Sequence, residues 1–233
     1  MSRTLMTMTG ILMAWFTGAT AVPAADAVTR YADMAALDQY LMPREQEIAM
    51  ARSAAPASIS DSAEVWALTT DGYVSVAAGS NGFTCLVERG WSSPVDDPEF
   101  WNPRLRAPIC FNAAAASYFV PLLKLETQAV IETRSKTTLS ERVHSALARN
   151  ELPPLPAGAM CFMMSRSGYL GDHNGHWHPH LMFFERHTPP AAWGANLPGS
   201  AVMALFDPLD DVTTFLVPVP NWSDGMGEAA AAH

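Results

Sequence analysis

Five of the chain's seven histidines fall between Gly171 and His187, in the run Gly-Asp-His-Asn-Gly-His-Trp-His-Pro-His-Leu-Met-Phe-Phe-Glu-Arg-His. Imidazole is the commonest protein metal ligand and the one side chain whose unperturbed pKa lies near neutrality. This crowding therefore points to metal binding, proton transfer or pH response. Read as a strand from Trp177 to Phe184, the run places His176, His178 and His180 on one face and Trp177, Pro179, Leu181 and Phe183 on the other. Alternate residues of a strand are roughly 6.6 Å apart, so His176 to His180 spans about 13 Å. With Zn–N bonds of about 2.0–2.1 Å, a straight strand offers one ion two adjacent histidines rather than three. Further ligands must come from His173 in the preceding loop or from Asp172, Glu185 and His187, with Asp207, Asp210 and Asp211 able to approach from another hairpin. The candidate metal set is His173, His176, His178, His180 and Glu185, for a divalent transition metal that serves hydrolysis through an activated water. Two readings compete with it: structural histidines anchoring a loop through local hydrogen bonds, and a metal-free acid–base role.

The remaining polar residues spell out no reaction. Ser165-Arg-Ser-Gly168 and Gly79-Ser-Asn-Gly82 do not make the Gly-x-Ser-x-Gly elbow of a hydrolase, and no His-Glu-x-x-His helix motif occurs. Cys85, Cys110 and Cys161 contain no Cys-x-x-Cys spacing, which excludes thioredoxin-like, zinc-ribbon and c-type haem motifs. At most one internal disulfide can form. Cys85 with Cys110 is the preferred pair, because Cys161 lies in an apolar run suited to a buried thiol; three buried thiols is the alternative. Adjacent Glu88 and Arg89 read as a solvated ion pair worth less than about 1 kcal/mol. A second functional reading is a non-catalytic binding or envelope-interaction module with an apolar groove, its recognition surface formed by Trp91, Trp101, Trp177 and Trp193.

The N-terminus sets the address of this chemistry. Arg3, an apolar stretch from Leu5 to Phe16 and the small residues of Thr-Gly-Ala-Thr-Ala-Val-Pro-Ala-Ala have the layout of a cleaved secretory signal, assigned to residues 1–25. The apolar stretch is shorter than the roughly 20 residues of a spanning helix, so no stable membrane insertion is expected after cleavage. The mature chain then has 13 basic against 23 acidic residues and no cationic cluster. A net charge of −10 excludes a nucleic-acid partner, whose phosphates require concentrated positive charge. An exported protein, periplasmic or extracellular, is the expectation.

The elements that position these residues follow from periodicity. Met34, Leu37, Leu41, Ile48 and Met50 recur at helical spacing over 33–54, with Pro43 able to open a second helix. Glu64–Thr69, Tyr73–Ala77 and Phe83–Glu88 are β-prone runs separated by Asp71-Gly72 and Gly79-Ser-Asn-Gly82, predicting three antiparallel strands in a meander. The four prolines between Gly90 and Pro108 predict a long irregular loop. Residues 112–136 predict a helix for which Pro121 is a suitable first residue. Thr138-Leu-Ser-Glu141 has the form of a capping box, and Leu139, Val143 and Leu147 make an amphipathic stripe running to about Asn150. Strands follow at 160–165, 177–184, 202–206 and 213–217. These elements predict one α+β domain over residues 26–224, a six- or seven-stranded antiparallel sheet packed by two to four helices, and a disordered tail at 225–233.

The segments Asn81-Gly-Phe-Thr-Cys-Leu-Val87, Pro108-Ile-Cys-Phe111, Pro179-His-Leu-Met-Phe183 and Val217-Pro-Val-Pro220 resemble a group of uncharacterised exported bacterial proteins. The resemblance covers most of the mature chain and implies export but no function. His178-x-His180-x4-Glu185 is also similar to the first metal motif of cupins, although Gly171 lies one residue too far upstream and no Pro-x-Gly-x-x-His segment follows.

Overall fold

A computed structural model describes residues 31–172 and 178–227. The segment assigned to a signal, residues 1–25, lies outside the described residues, as do His173, His176 and Trp177. Among the described residues the architecture is α+β, with one sheet of eight strands and four α-helices. The strands are β1 (Glu64–Thr69), β2 (Gly72–Ala77), β3 (Thr84–Glu88), β4 (Ala107–Phe111), β5 (Met160–Met163), β6 (His180–Arg186), β7 (Met203–Asp207) and β8 (Val212–Pro218). Their order is β2-β1-β3-β4-β5-β6-β8-β7. Helix α1 covers Arg44–Arg52, α2 Ala57–Ser60, α3 Ala113–Thr133 and α4 Lys136–Ala148. Among the described residues, no helix is long and apolar enough to cross a membrane.

The sheet differs from the expected antiparallel one in two ways. Strands β1 and β2 form the predicted hairpin, but β3 pairs with β1 in parallel rather than continuing a meander. The Gly79–Gly82 connection therefore carries the chain across to the other edge of β1 instead of turning it back on β2. The additional strand is β4, which begins within the proline-rich segment read as loop. Its Pro108 sits opposite Val87 in a central strand, a position where proline forfeits a ladder hydrogen bond.

Helix α3 begins at Ala113, earlier than Pro121, because Asn112 caps it: its Oδ1 accepts from Ala115 N at 2.9 Å. Pro121 thus lies inside the helix and removes the bond that Ser117 O would accept, a cost offset by burial of Tyr118, Leu122, Leu123, Ala129 and Val130. The cap of α4 is Ser135, which accepts from Thr138 N at 3.2 Å. Thr138, the N-cap of the box read from the sequence, is therefore already helical, three residues past the observed cap. Leu139 and Val143 of this helix are fully buried against the main core. Residues 225–227, assigned to a free tail, fold back so that Gly227 bridges Asn221; residues 228–233 lie outside the described residues.

Alternation divides each strand between two faces. Leu86, Ile109, Phe111, Met182 and Phe184 look toward α3, while Cys85, Val87 and Cys110 join Ala51 and Val65 in the core beneath α1. Cys85 and Cys110 stand opposite each other in the β3–β4 register and form a disulfide; Cys161 is a buried free thiol. Closing a segment with a sequence separation of 25 constrains the unfolded chain. The double variant Cys85→Ala/Cys110→Ala is expected to lose about 3 kcal/mol of stability, read from denaturant midpoints. A midpoint equal to that of the oxidised protein would show that the bridge contributes nothing.

Candidate functional site

Of the candidate metal set, His178, His180 and Glu185 lie among the described residues. Strand β6 begins only at His180, so His178 precedes it on an exposed loop. His180 is 8 % exposed, and its Nδ1 lies 2.8 Å from His178 O, to which the neutral ring donates. Burial holds its pKa below the usual histidine range, against the opposing effect of that hydrogen bond. Glu185 is five residues further along the same strand and so points to the opposite face, which removes it from any site shared with His180. His187 pairs instead with Asp211 at the surface, at 2.8 Å. Among the described residues, no three His, Cys, Asp or Glu side chains are placed to hold one metal ion.

Of the four tryptophans read as a recognition surface, Trp91, Trp101 and Trp193 are among the described residues, and these three do not share one surface. Trp91 and Trp101 are core residues, and Trp91 donates to Thr127 Oγ1 of α3 at 3.0 Å. Trp193 is partly exposed and stacks on Phe215, with ring centroids 4.4 Å apart.

A different site lies between α3 and the sheet. Phe119, Leu122, Leu123 and Glu126 recur at helical spacing and present one stripe of α3 to the strands. Facing them are Ile109 and Phe111 of β4, Met182 and Phe184 of β6, and Val212 and Thr214 of β8. The space between is a cleft of about 200 Å³. At its outer side the edge strand β7 contributes Leu205, 65 % exposed, and Phe206. The wall is aromatic: Phe119 lies between Phe111 and Phe184, with centroid separations of 5.3 and 4.3 Å.

Four carboxyl groups interrupt this apolar lining. They are Glu88 at the end of β3, Glu126 on α3, and Asp207 and Asp210 at the β7–β8 turn. Glu126 is only 6 % exposed, and neither Glu88 nor Glu126 makes a side-chain hydrogen bond to another described residue. Desolvation pushes the Glu88 pKa up to about 8. Glu126 is raised well above the carboxylate range, first by desolvation and then by the like charges of Asp210, Asp207 and Glu88. Burial also raises Asp207, and burial together with Asp207 brings Asp210 to about 6.

Asp210 is the one member of the group held by a side-chain donor. Tyr118 Oη donates to its Oδ2 at 3.0 Å and accepts from Arg186 Nη2 at 2.9 Å. This Arg186–Tyr118–Asp210 chain ties β6, α3 and the β7–β8 turn together. Ser92 Oγ also lines the cleft, buried and without a hydrogen-bond partner. Among the described residues, no lysine, arginine or histidine lines the cleft. Near neutral pH, Glu88 and Glu126 are thereby held as neutral carboxylic acids able to donate a hydrogen bond and to become acceptors by releasing a proton, beside an Asp210 that is largely ionised.

Reading by residue type missed this site because Glu88 and Glu126 look like ordinary surface charges. Two signals were present in the chain. Glu126 falls on the apolar stripe of its own helix, and Glu88 alternates with Leu86 on the buried face of β3, whereas Arg89 falls on the other. No family model, no curated protein and no solved structure matches the chain.

Proposed function

We propose that the protein is an exported, non-catalytic binding module that holds a small amphipathic molecule in the cleft between α3 and the sheet. The observation that carries this reading is Glu126: an ionisable group 6 % exposed, without a hydrogen bond to any described residue, set in an aromatic and aliphatic cleft. The Glu126 carboxyl borders the cleft, where a ligand donor replaces solvent as its hydrogen-bond partner. A small apolar cleft with a few convergent polar groups is the usual form of a ligand site. Export is supported by the layout of residues 1–25 and by the Cys85–Cys110 disulfide, a bond that persists in oxidising compartments. His180, whose ring is buried against a backbone carbonyl, serves as a structural histidine in this reading.

Met182 supplies the test, because its side chain lines the cleft. With methionine methyl groups labelled for NMR, indole is expected to shift the Met182 signal saturably, with a Kd of about 0.1–1 mM for a ligand of this size. Absence of any shift at Met182, with or without shifts elsewhere, would contradict the assignment of the cleft as the binding site.

A further inference from the structure

The charge pattern of the cleft narrows the ligand. Four carboxyl groups line it from three directions: Glu88 from β3, Glu126 from α3, and Asp207 and Asp210 from the β7–β8 turn. Among the described residues, the lining contains no basic side chain to answer them. The nearest guanidinium acting on the group, that of Arg186 on β6, is committed to Tyr118 Oη, and Cys161 on β5 adds only a buried thiol. A neutral ligand would leave this imbalance untouched, and an anion would aggravate it. A bare metal ion fits poorly, because no three of these groups are placed around one point among the described residues.

An ammonium group meets each requirement. Its N–H groups can bond the Glu126 carboxyl, which no described residue engages, and its charge can take the place of the protons that desolvation, and to a lesser degree mutual repulsion, keep on the carboxyls. The wall of Phe111, Phe119 and Phe184 offers π faces to the cation and apolar contact to the body it is attached to. The size is also suitable: a dry cavity of about 150 Å³ accepts benzene, so this cleft has room for a ring with a short chain.

Building on the binding-module reading, we propose that the cleft is a receptor for a small organic ammonium ion, with the nitrogen at the Glu126 carboxyl and the apolar body against Phe111, Phe119 and Phe184. Binding proceeds as an exchange: the carboxylic acid gives up its proton to solvent, and the resulting carboxylate accepts N–H bonds from the ammonium. No covalent bond to the ligand is made or broken.

The test compares 2-phenylethylamine with its neutral isostere 2-phenylethanol on the full mature chain at pH 7. Binding is followed at the Met182 methyl and by calorimetry in buffers of different ionisation enthalpy. The amine is expected to bind at least about tenfold more tightly than the alcohol, the increment of a charge-assisted hydrogen bond, and to release about one proton per molecule bound. In Glu126→Gln, checked for folding by its thermal transition, the amine-to-alcohol affinity ratio falls to about one. Equal or tighter binding of the alcohol by the wild type, or amine binding without proton release, would overturn the ammonium assignment and leave the binding-module reading standing. Failure of both compounds to shift Met182 would overturn both.

Discussion

Glu47→Ala is expected to lower the stability of the protein by about 3–5 kcal/mol, the largest effect of any single substitution considered for this chain. Glu47 and Arg89 are both fully buried, and Arg89 Nη2 donates to Glu47 Oε1 at 2.9 Å. The same oxygen accepts from Leu68 N at 3.0 Å, so one carboxylate joins α1 to β1 and to the end of β3. Arg89 also donates to the carbonyls of Tyr40 and Val87. Truncating Glu47 strands a guanidinium that no water can reach and leaves a strand N–H without its acceptor. For a domain of this size, each kcal/mol moves the melting temperature by about 2–4 °C, so a fall of about 10 °C is the expected readout. Glu47→Gln should fall between the two, since it keeps an oxygen acceptor and loses the charge. A variant within 1 kcal/mol of wild type would mean that Arg89 finds another partner when Glu47 is removed. The sequence reading paired Arg89 with its neighbour Glu88 in solvent. Strand alternation separates them, sending Arg89 to the α1 side and Glu88 into the cleft.

The second large effect is on the pH dependence of stability. Glu88 titrates near 8 in the folded protein and in the ordinary glutamate range when unfolded. Between those values the folded state holds a proton that the unfolded state has released, so stability falls as pH rises from about 4.5 to about 8 and levels off above that. Asp210, raised to about 6, contributes in the same direction over a lower interval. With each pKa unit worth about 1.4 kcal/mol the shift corresponds to about 5 kcal/mol, and the partial exposure of Glu88 lowers the expected loss to the order of 3 kcal/mol across this range. Glu88→Gln is therefore expected to match wild type near pH 5 and to exceed it by that amount near pH 8. Parallel curves for the two proteins, measured by thermal or denaturant unfolding, would show that Glu88 is ionised in the native state. Such a gain in stability on removing a group is characteristic of residues retained for function.

The two levels of organisation differ in how much of each the sequence displays. The α+β class, the β1–β2 hairpin and the buried stripe of α4 at Leu139 and Val143 follow from local periodicity, which is a property of contiguous residues. The parallel pairing of β1 with β3 depends on which edge the connection crosses to, and no residue in Gly79–Gly82 encodes that choice by itself. Strand β4 is concealed by Pro108, because a central strand containing proline violates the local preference that identifies strands. Pro121 misleads in the same way: the cap that starts α3 is Asn112, and tertiary burial carries the helix through the proline.

The site was hidden by residue type rather than by pattern. Histidines attract attention wherever they occur, yet the parity of β6 alone places His180 and Glu185 on opposite faces. Carboxylates are discounted because most are solvated. Only the positions of Glu88 and Glu126 on otherwise apolar faces mark them, and Asp207 and Asp210 join them through a turn whose approach to α3 is a tertiary fact, fixed by Tyr118.

The most direct test of this account is a titration of the side-chain carboxyl carbons by 13C NMR, on protein labelled at glutamate and aspartate. One glutamate is expected to titrate near pH 8 and to vanish in Glu88→Gln, and a second, assigned by Glu126→Gln, to remain protonated well above the usual carboxylate range. Titration of every glutamate in the ordinary range of about 4–5 would mean that the cleft is wet and its carboxyls are ionised, and would contradict the account at its centre.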